Sequence, residues 1–138
     1  LRGAPQLGTL GSGNHYAEVQ IVDAVYDEAA AAAMNLKLGQ VCVMIHSGSR
    51  GLGHQVASDA VNRMDELRAR SGDASLIDRQ LACCPIGSPE GRAYLSAMAA
   101  AANFAFVNRT VLAHRVREAF SLVMGRSARD LDMHVVYD

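Results

Sequence analysis

The run Val41-Cys42-Val43-Met44-Ile45-His46-Ser47-Gly48-Ser49-Arg50-Gly51-Leu52-Gly53 (VCVMIHSGSRGLG, residues 41–53) decides how the chain folds around it. Its first five residues are a continuous apolar run, the pattern of a strand buried on both faces. A glycine-rich loop follows at once. Beyond it, Val56, Ala60, Met64 and Leu67 recur at roughly helical spacing. In α/β proteins such a strand, loop and helix place ligands outside the carboxyl end of the strand, where the helix N-terminus favours anions. Gly48, Gly51 and Gly53 would let backbone amides approach a phosphate, and Arg50 adds a fork-shaped cation suited to phosphate oxygens. His46 stands at the end of the strand, where a metal ligand would be well held. No Gly-Lys-Ser/Thr follows, so this is not a Walker A loop. A plain turn carrying an exposed arginine would show the same letters.

A second glycine-rich segment lies upstream. Leu7-Gly8-Thr9-Leu10-Gly11-Ser12-Gly13-Asn14-His15-Tyr16-Ala17-Glu18 leads into residues 18–22, which alternate polar and apolar as a strand does. If that strand already begins at residue 14, Asn14, Tyr16 and Glu18 share one face, and His15 joins Ala17, Val19 and Ile21 on the other. A lone histidine on an apolar face is more often a hydrogen-bonded core residue than a ligand. Asn14 and His15 can serve one site only if the glycine loop twists the chain there. Two histidines after two glycine-rich segments still weigh more than either alone. Neutral imidazoles suit manganese, iron and zinc, but two nitrogens do not complete a site. His54, one turn into the following helix, is a third candidate. His114 and His134 fall in helix and strand patterns and read as structural.

Between these motifs, residues 23–36 hold Glu28 and a run of five alanines, a helix signal that Gly39 ends. Residues 71–88 read as a loop and form the only weak boundary. Ser88-Pro89-Glu90 looks like an N-cap, a proline at the first helical position and an acidic first turn. From there an apolar pattern runs to Gly125, long enough to predict a kink or break near Asn103 or Asn108. A last strand is expected over roughly residues 131–137. Strands and helices in this order predict an α/β fold, with α+β as the alternative: a mixed sheet with flanking helices.

The 138 residues suffice for one domain with a core. Half are hydrophobic and 20% charged, as in a globular protein, and no apolar run approaches the ~20 residues that span a bilayer. A net charge of −1 does not announce a nucleic-acid binder, nor does it exclude one, since affinity follows local basic patches. Cys42 reads as core. Adjacent Cys83 and Cys84 have no zinc-finger spacing, and the odd count favours a reducing compartment. The opening at Leu1 and the close inside an expected strand suggest an internal piece of a longer chain.

Gly8-Thr9-Leu10-Gly11-Ser12-Gly13-Asn14-His15 with Glu18, and then His46-Ser47-Gly48-Ser49-Arg50-Gly51, resemble the RtcB family of RNA-splicing ligases. Arg79-Gln80-Leu81-Ala82-Cys83, Ser88-Pro89-Glu90-Gly91, Met98-Ala99-Ala100-Ala101-Ala102-Asn103 and Asn108-Arg109 extend the resemblance across essentially the whole chain. The wording around Gly53-His54-Gln55-Val56 looks most like the eukaryotic and archaeal branch.

The resemblance implies part of a single catalytic domain. It implies an enzyme that joins RNA 2′,3′-cyclic phosphate or 3′-phosphate ends to 5′-hydroxyl ends, using GTP and two manganese ions through a guanylylated histidine. His15 and His46 would each ligate a manganese. Asn14 would contact the guanylate phosphate, with His15, Tyr16, Ala17 and Glu18 lining the nucleotide site. Glu18 would read the guanine edge, and Arg50 would hold an RNA phosphate. The family's bridging cysteine and its aspartate would precede Leu1. A third metal histidine and the guanylylated histidine would follow Asp138, so no catalytic nucleophile is expected here and residues 1–138 alone would be inactive. The implied partners are RNA, such as tRNA exon halves, and in eukaryotes archease and a multi-subunit complex with a DEAD-box helicase. The implied location is the cytoplasm, or cytoplasm and nucleus. The residues alone also admit a metal-dependent phosphoesterase, which would need further carboxylates, and a non-catalytic nucleotide- or RNA-binding module.

Overall fold

The structure, a computed structural model, describes residues 2–72 and 78–138. The fold is mixed α/β. Strand β1 (Tyr16–Ile21) is followed by helix α1 (Glu28–Ala33), strand β2 (Val41–His46), helix α2 (Arg50–Ser71) and helix α3 (Pro89–Met124). Short 3₁₀ turns occupy Ala4–Gln6 and Arg79–Leu81. The chain forms two compact units. One comprises Leu1–Leu7 and Gly48–Val107, the other Gly8–Ser47 and Asn108–Asp138. No helix among the described residues is long and apolar enough to cross a membrane.

The second unit holds the sheet. β1 and β2 pair antiparallel, with Tyr16 opposite His46, Glu18 opposite Met44 and Gln20 opposite Cys42. Beyond the strands, Val22 donates to the Gln40 carbonyl and Gly39 donates to that of Val22, so the pairing runs on past Ile21. Gly39 thus serves the connecting end of the hairpin and does not end the helix. α1 is shorter than the alanine run suggested. Asp27 caps it, its Oδ1 accepting from the Ala30 amide at 2.9 Å. Asn35, at φ 52°, turns the chain out of it, with Leu36 donating to the Ala31 carbonyl.

Two further sequence expectations fail in this unit. β2 is not buried on both faces. Among the described residues it has one partner strand, and Val19, Ile21 and Val41 on the apolar face are each more than half exposed. Residues 131–137 do not form a strand. A strand exists through ladder hydrogen bonds, and this segment is engaged otherwise. The Met133 carbonyl accepts from Arg117 of α3, and Asp138 pairs with Arg109.

In the first unit α2 follows the apolar spacing seen in the sequence, with Met64 buried and Val56, Ala60 and Leu67 half-buried. It ends as a helix should. Gly72 adopts the left-handed conformation, and Arg68 and Arg70 sit in the last turn, where cations oppose the helix dipole. Asp65 of α2 accepts from Arg79 at 2.6 Å, joining the 3₁₀ turn to the helix. The rest of the expected 71–88 loop lies partly outside the described residues. α3 starts as read, with Pro89 first and the Ser88 hydroxyl accepting from the Gly91 amide at 3.0 Å. Gly91 is obligatory there, because a Cβ would lie 2.5 Å from the Pro85 carbonyl oxygen. The expected break near Asn103 or Asn108 does not occur, and α3 continues for 36 residues. An asparagine unsettles a helix when its side chain competes for the helix's own backbone. Asn108 bonds elsewhere.

Candidate functional site

The site is assembled in the second unit, where the glycine-rich loop enters β1 beside the end of β2. Side chains alternate along a strand. The observed register therefore gathers Tyr16, Glu18 and Gln20 with Cys42, Met44 and His46 on one face. Ala17, Val19 and Ile21 fall on the other with Val41, Val43 and Ile45. Tyr16 stacks on the His46 ring, centroids 5.4 Å apart and planes 20° apart, and its hydroxyl donates to the Met44 sulfur at 3.1 Å. Glu18 accepts from Gln20 at 3.0 Å.

His15 lies outside the strand, so the alternation that would have sent it to the apolar face does not apply. Gly11 at φ 122° and Gly13 at φ 73° turn the chain through conformations that side chains resist. The turn brings the His15 ring to 6.1 Å from the His46 ring, centroid to centroid. His15 Nδ1 lies 3.0 Å from the Ser12 carbonyl oxygen. A carbonyl only accepts, so Nδ1 is the donor in this contact, and Nε2 is the nitrogen left for a ligand. Metal-binding histidines are commonly oriented this way, with the second nitrogen donating to a backbone carbonyl.

The loop is held from behind. Asn108 of α3 is completely buried. Its Oδ1 accepts from the amides of Gly8 at 2.7 Å and Thr9 at 3.3 Å. Its Nδ2 donates to the Thr9 carbonyl at 3.2 Å and to the Ser47 hydroxyl at 3.1 Å. Ser47 donates in turn to the Leu10 carbonyl at 2.6 Å. Two turns along α3, Arg115 donates to the Gly8 carbonyl at 2.6 Å. Val111 sits between them, and a Cβ on Gly8, at φ 71°, would come within 2.5 Å of its Cγ1.

The other sequence candidates fall as follows. Asn14 is exposed in the turn next to His15. Ala17 lies on the face opposite Tyr16 and Glu18. Arg50 belongs to the first unit, at the head of α2, where it adopts a left-handed backbone, φ 54°. His54 is exposed on α2. His114 pairs with Glu118 at 3.3 Å along α3, and His134 Nδ1 bonds the Asp132 carbonyl. Among the described residues, no group of three or more histidine, cysteine or acidic side chains is arranged to hold a metal ion. The gathered set is therefore two imidazoles, a stacked phenol and a carboxylate. Asn108, Ser47 and Arg115 were not read as framing the site. The signal available was an asparagine after the apolar run Phe104-Ala105-Phe106-Val107.

The family model described as "tRNA-splicing ligase RtcB" matches residues 1–138. The chain belongs to that family. RtcB membership supports a tRNA-splicing ligase role in general.

Proposed function

We propose that the His15–His46 pair is the metal-binding part of a GTP- and manganese-dependent ligase centre. In this reading the enzyme joins RNA 2′,3′-cyclic phosphate or 3′-phosphate ends to 5′-hydroxyl ends, through a guanylylated histidine outside residues 1–138. The observation that carries the reading is the 6.1 Å approach of the two rings, with His15 Nδ1 committed to the Ser12 carbonyl. This donor set fits two divalent ions of the manganese, iron or zinc kind, His15 supplying a nitrogen to one and His46 to the other. It leaves coordination positions for phosphate oxygens, water and donors elsewhere in the full protein. When bound, such ions neutralise phosphate charge and orient the attacking group.

The chain's own residues supply the rest. Glu18, on the same face as His46, offers a carboxylate that accepts from the paired N–H groups of a guanine edge. Tyr16 offers an aromatic ring at the edge of that face. Asn14, exposed in the turn before β1, would donate to a guanylate phosphate, and Arg50 is the residue proposed to hold RNA phosphate. RNA, such as tRNA exon halves, is the proposed substrate, with archease and a helicase-containing complex as proposed partners in the cytoplasm or nucleus.

The test uses full-length protein, manganese, labelled GTP or ATP, and RNA bearing a cyclic phosphate and a 5′-hydroxyl. GTP should support joining and ATP should not. His15→Ala and His46→Ala should each abolish it. Ligation that survives both substitutions, or that runs equally on ATP, would refute the proposal. Stable labelling of isolated residues 1–138 by GTP would refute the placement of the nucleophile.

A further inference from the structure

Asn108 uses its whole hydrogen-bonding capacity. A carboxamide accepts twice and donates twice. Here Oδ1 takes the amides of Gly8 and Thr9, and Nδ2 serves the Thr9 carbonyl and the Ser47 hydroxyl. Those partners fix which end is oxygen, since the two amides can only donate and the Thr9 carbonyl can only accept. Such a side chain does more than fill space, because it joins three segments that are far apart in sequence. One is α3. The second is the loop that carries His15, held at Gly8, Thr9 and, through Ser47, Leu10. The third is the end of β2, where Ser47 directly follows His46. His15 is tied in turn to this loop by the Ser12 carbonyl.

We propose that Asn108, acting through Ser47, is a positioning residue that sets the separation and orientation of the His15 and His46 imidazoles. Neither side chain is required to touch the metal. The path runs from Asn108 to the loop backbone and Ser47, and from these to the two rings. Arg115 holds the Gly8 carbonyl from the same face of α3, so the loop's entry is fixed at both amide and carbonyl. Groups behind metal-binding histidines typically change metal affinity by about 10–100-fold when removed.

The proposal rests on the reading that these imidazoles bind divalent ions, and the experiment separates the two. Full-length protein is labelled with ¹⁵N-histidine, and the His15 and His46 signals are assigned from His15→Ala and His46→Ala. Imidazole spectra without metal report the tautomer of each ring, and broadening on titration with Mn²⁺ reports affinity. Wild-type His15 should show a single Nδ1–H form. Ser47→Ala and Asn108→Ala should mix that tautomer and weaken Mn²⁺ binding by about 10–100-fold. Ser47→Ala is the milder change and carries the test should Asn108→Ala not fold. Variants with lowered melting temperature but unchanged tautomer and Mn²⁺ affinity would overturn the proposal, leaving Asn108 a purely structural residue. Wild-type signals indifferent to Mn²⁺ would overturn the metal reading itself, and the proposal with it.

Discussion

Replacing Gly8 with alanine tests the most crowded point of the loop. Two separate penalties arise. At φ 71° the backbone is left-handed, which for a residue with a Cβ costs about 1–2 kcal/mol. The new methyl would also lie 2.5 Å from Val111 Cγ1 and 3.2 Å from Arg115 Cζ. Comfortable carbon–carbon contact is about 3.5–4.0 Å, so roughly 1 Å must be found by moving Val111 or the loop. Overpacking of that kind typically costs about 1–3 kcal/mol. The total is about 2–5 kcal/mol. Equilibrium urea unfolding, followed by circular dichroism, measures it. Val111→Ala supplies the control, because it removes the opposing Cγ1 but leaves the backbone unchanged. In that background the cost of Gly8→Ala should fall toward the conformational part, about 1–2 kcal/mol, with only the 3.2 Å approach to Arg115 Cζ remaining, and the difference between backgrounds is the overlap with Val111. A change within about 0.5 kcal/mol, the range of an ordinary surface substitution, would refute the reasoning. So would an equal loss in both backgrounds.

Asp27→Ala should destabilise α1 by about 1 kcal/mol through loss of its N-cap, read as a lowered urea midpoint. Arg79→Ala removes the 2.6 Å contact with Asp65, but Arg79 is largely exposed. Its effect should stay below about 1 kcal/mol and shrink further at high salt in the same assay. Glu18→Gln should weaken GTP binding about 10–100-fold by removing a charged acceptor from the proposed guanine contact, with ATP binding unchanged in parallel calorimetric titrations. Chelation with EDTA should abolish RNA joining by the full-length protein, and added Mn²⁺ should restore it.

Local signals in the sequence were reliable where short-range physics decides the outcome. Ser88-Pro89-Glu90 announced the start of α3, because capping needs only neighbours. Spacing at Val56, Ala60, Met64 and Leu67 announced α2, and alternation over residues 18–22 announced β1. The failures were long-range. Apolarity alone made residues 41–45 look buried on both faces, but burial depends on what packs there, and both faces of the hairpin carry exposed side chains, Tyr16 and Met44 on one and Val19, Ile21 and Val41 on the other. At residues 131–137 the chain forms no strand and, together with Asp138, bonds Arg117 and Arg109 of α3, contacts that its own letters do not announce. Asn108 suggested a helix break because asparagine unsettles helices. Its partners lie about a hundred positions away, at Gly8 and Thr9, and no local pattern reveals them. Strand alternation would put His15 on the apolar face only if β1 began at residue 14; β1 begins at Tyr16, and the glycines before His15 set its direction. The proximity of His15 and His46 follows from the register, which two isolated motifs do not specify.

Arg50 stands in a conformation that glycine would take without penalty. Asn35 and Asp132 are also left-handed, but their short polar side chains tolerate it, and an arginine does not. A search for heat-tolerant variants should therefore recover Arg50→Gly, gaining about 1 kcal/mol from relief of the backbone alone. Those same clones would lose a guanidinium at the mouth of the second glycine loop. If Arg50 holds RNA phosphate as proposed, thermal resistance and hold on a polyanion would then move in opposite directions at a single codon.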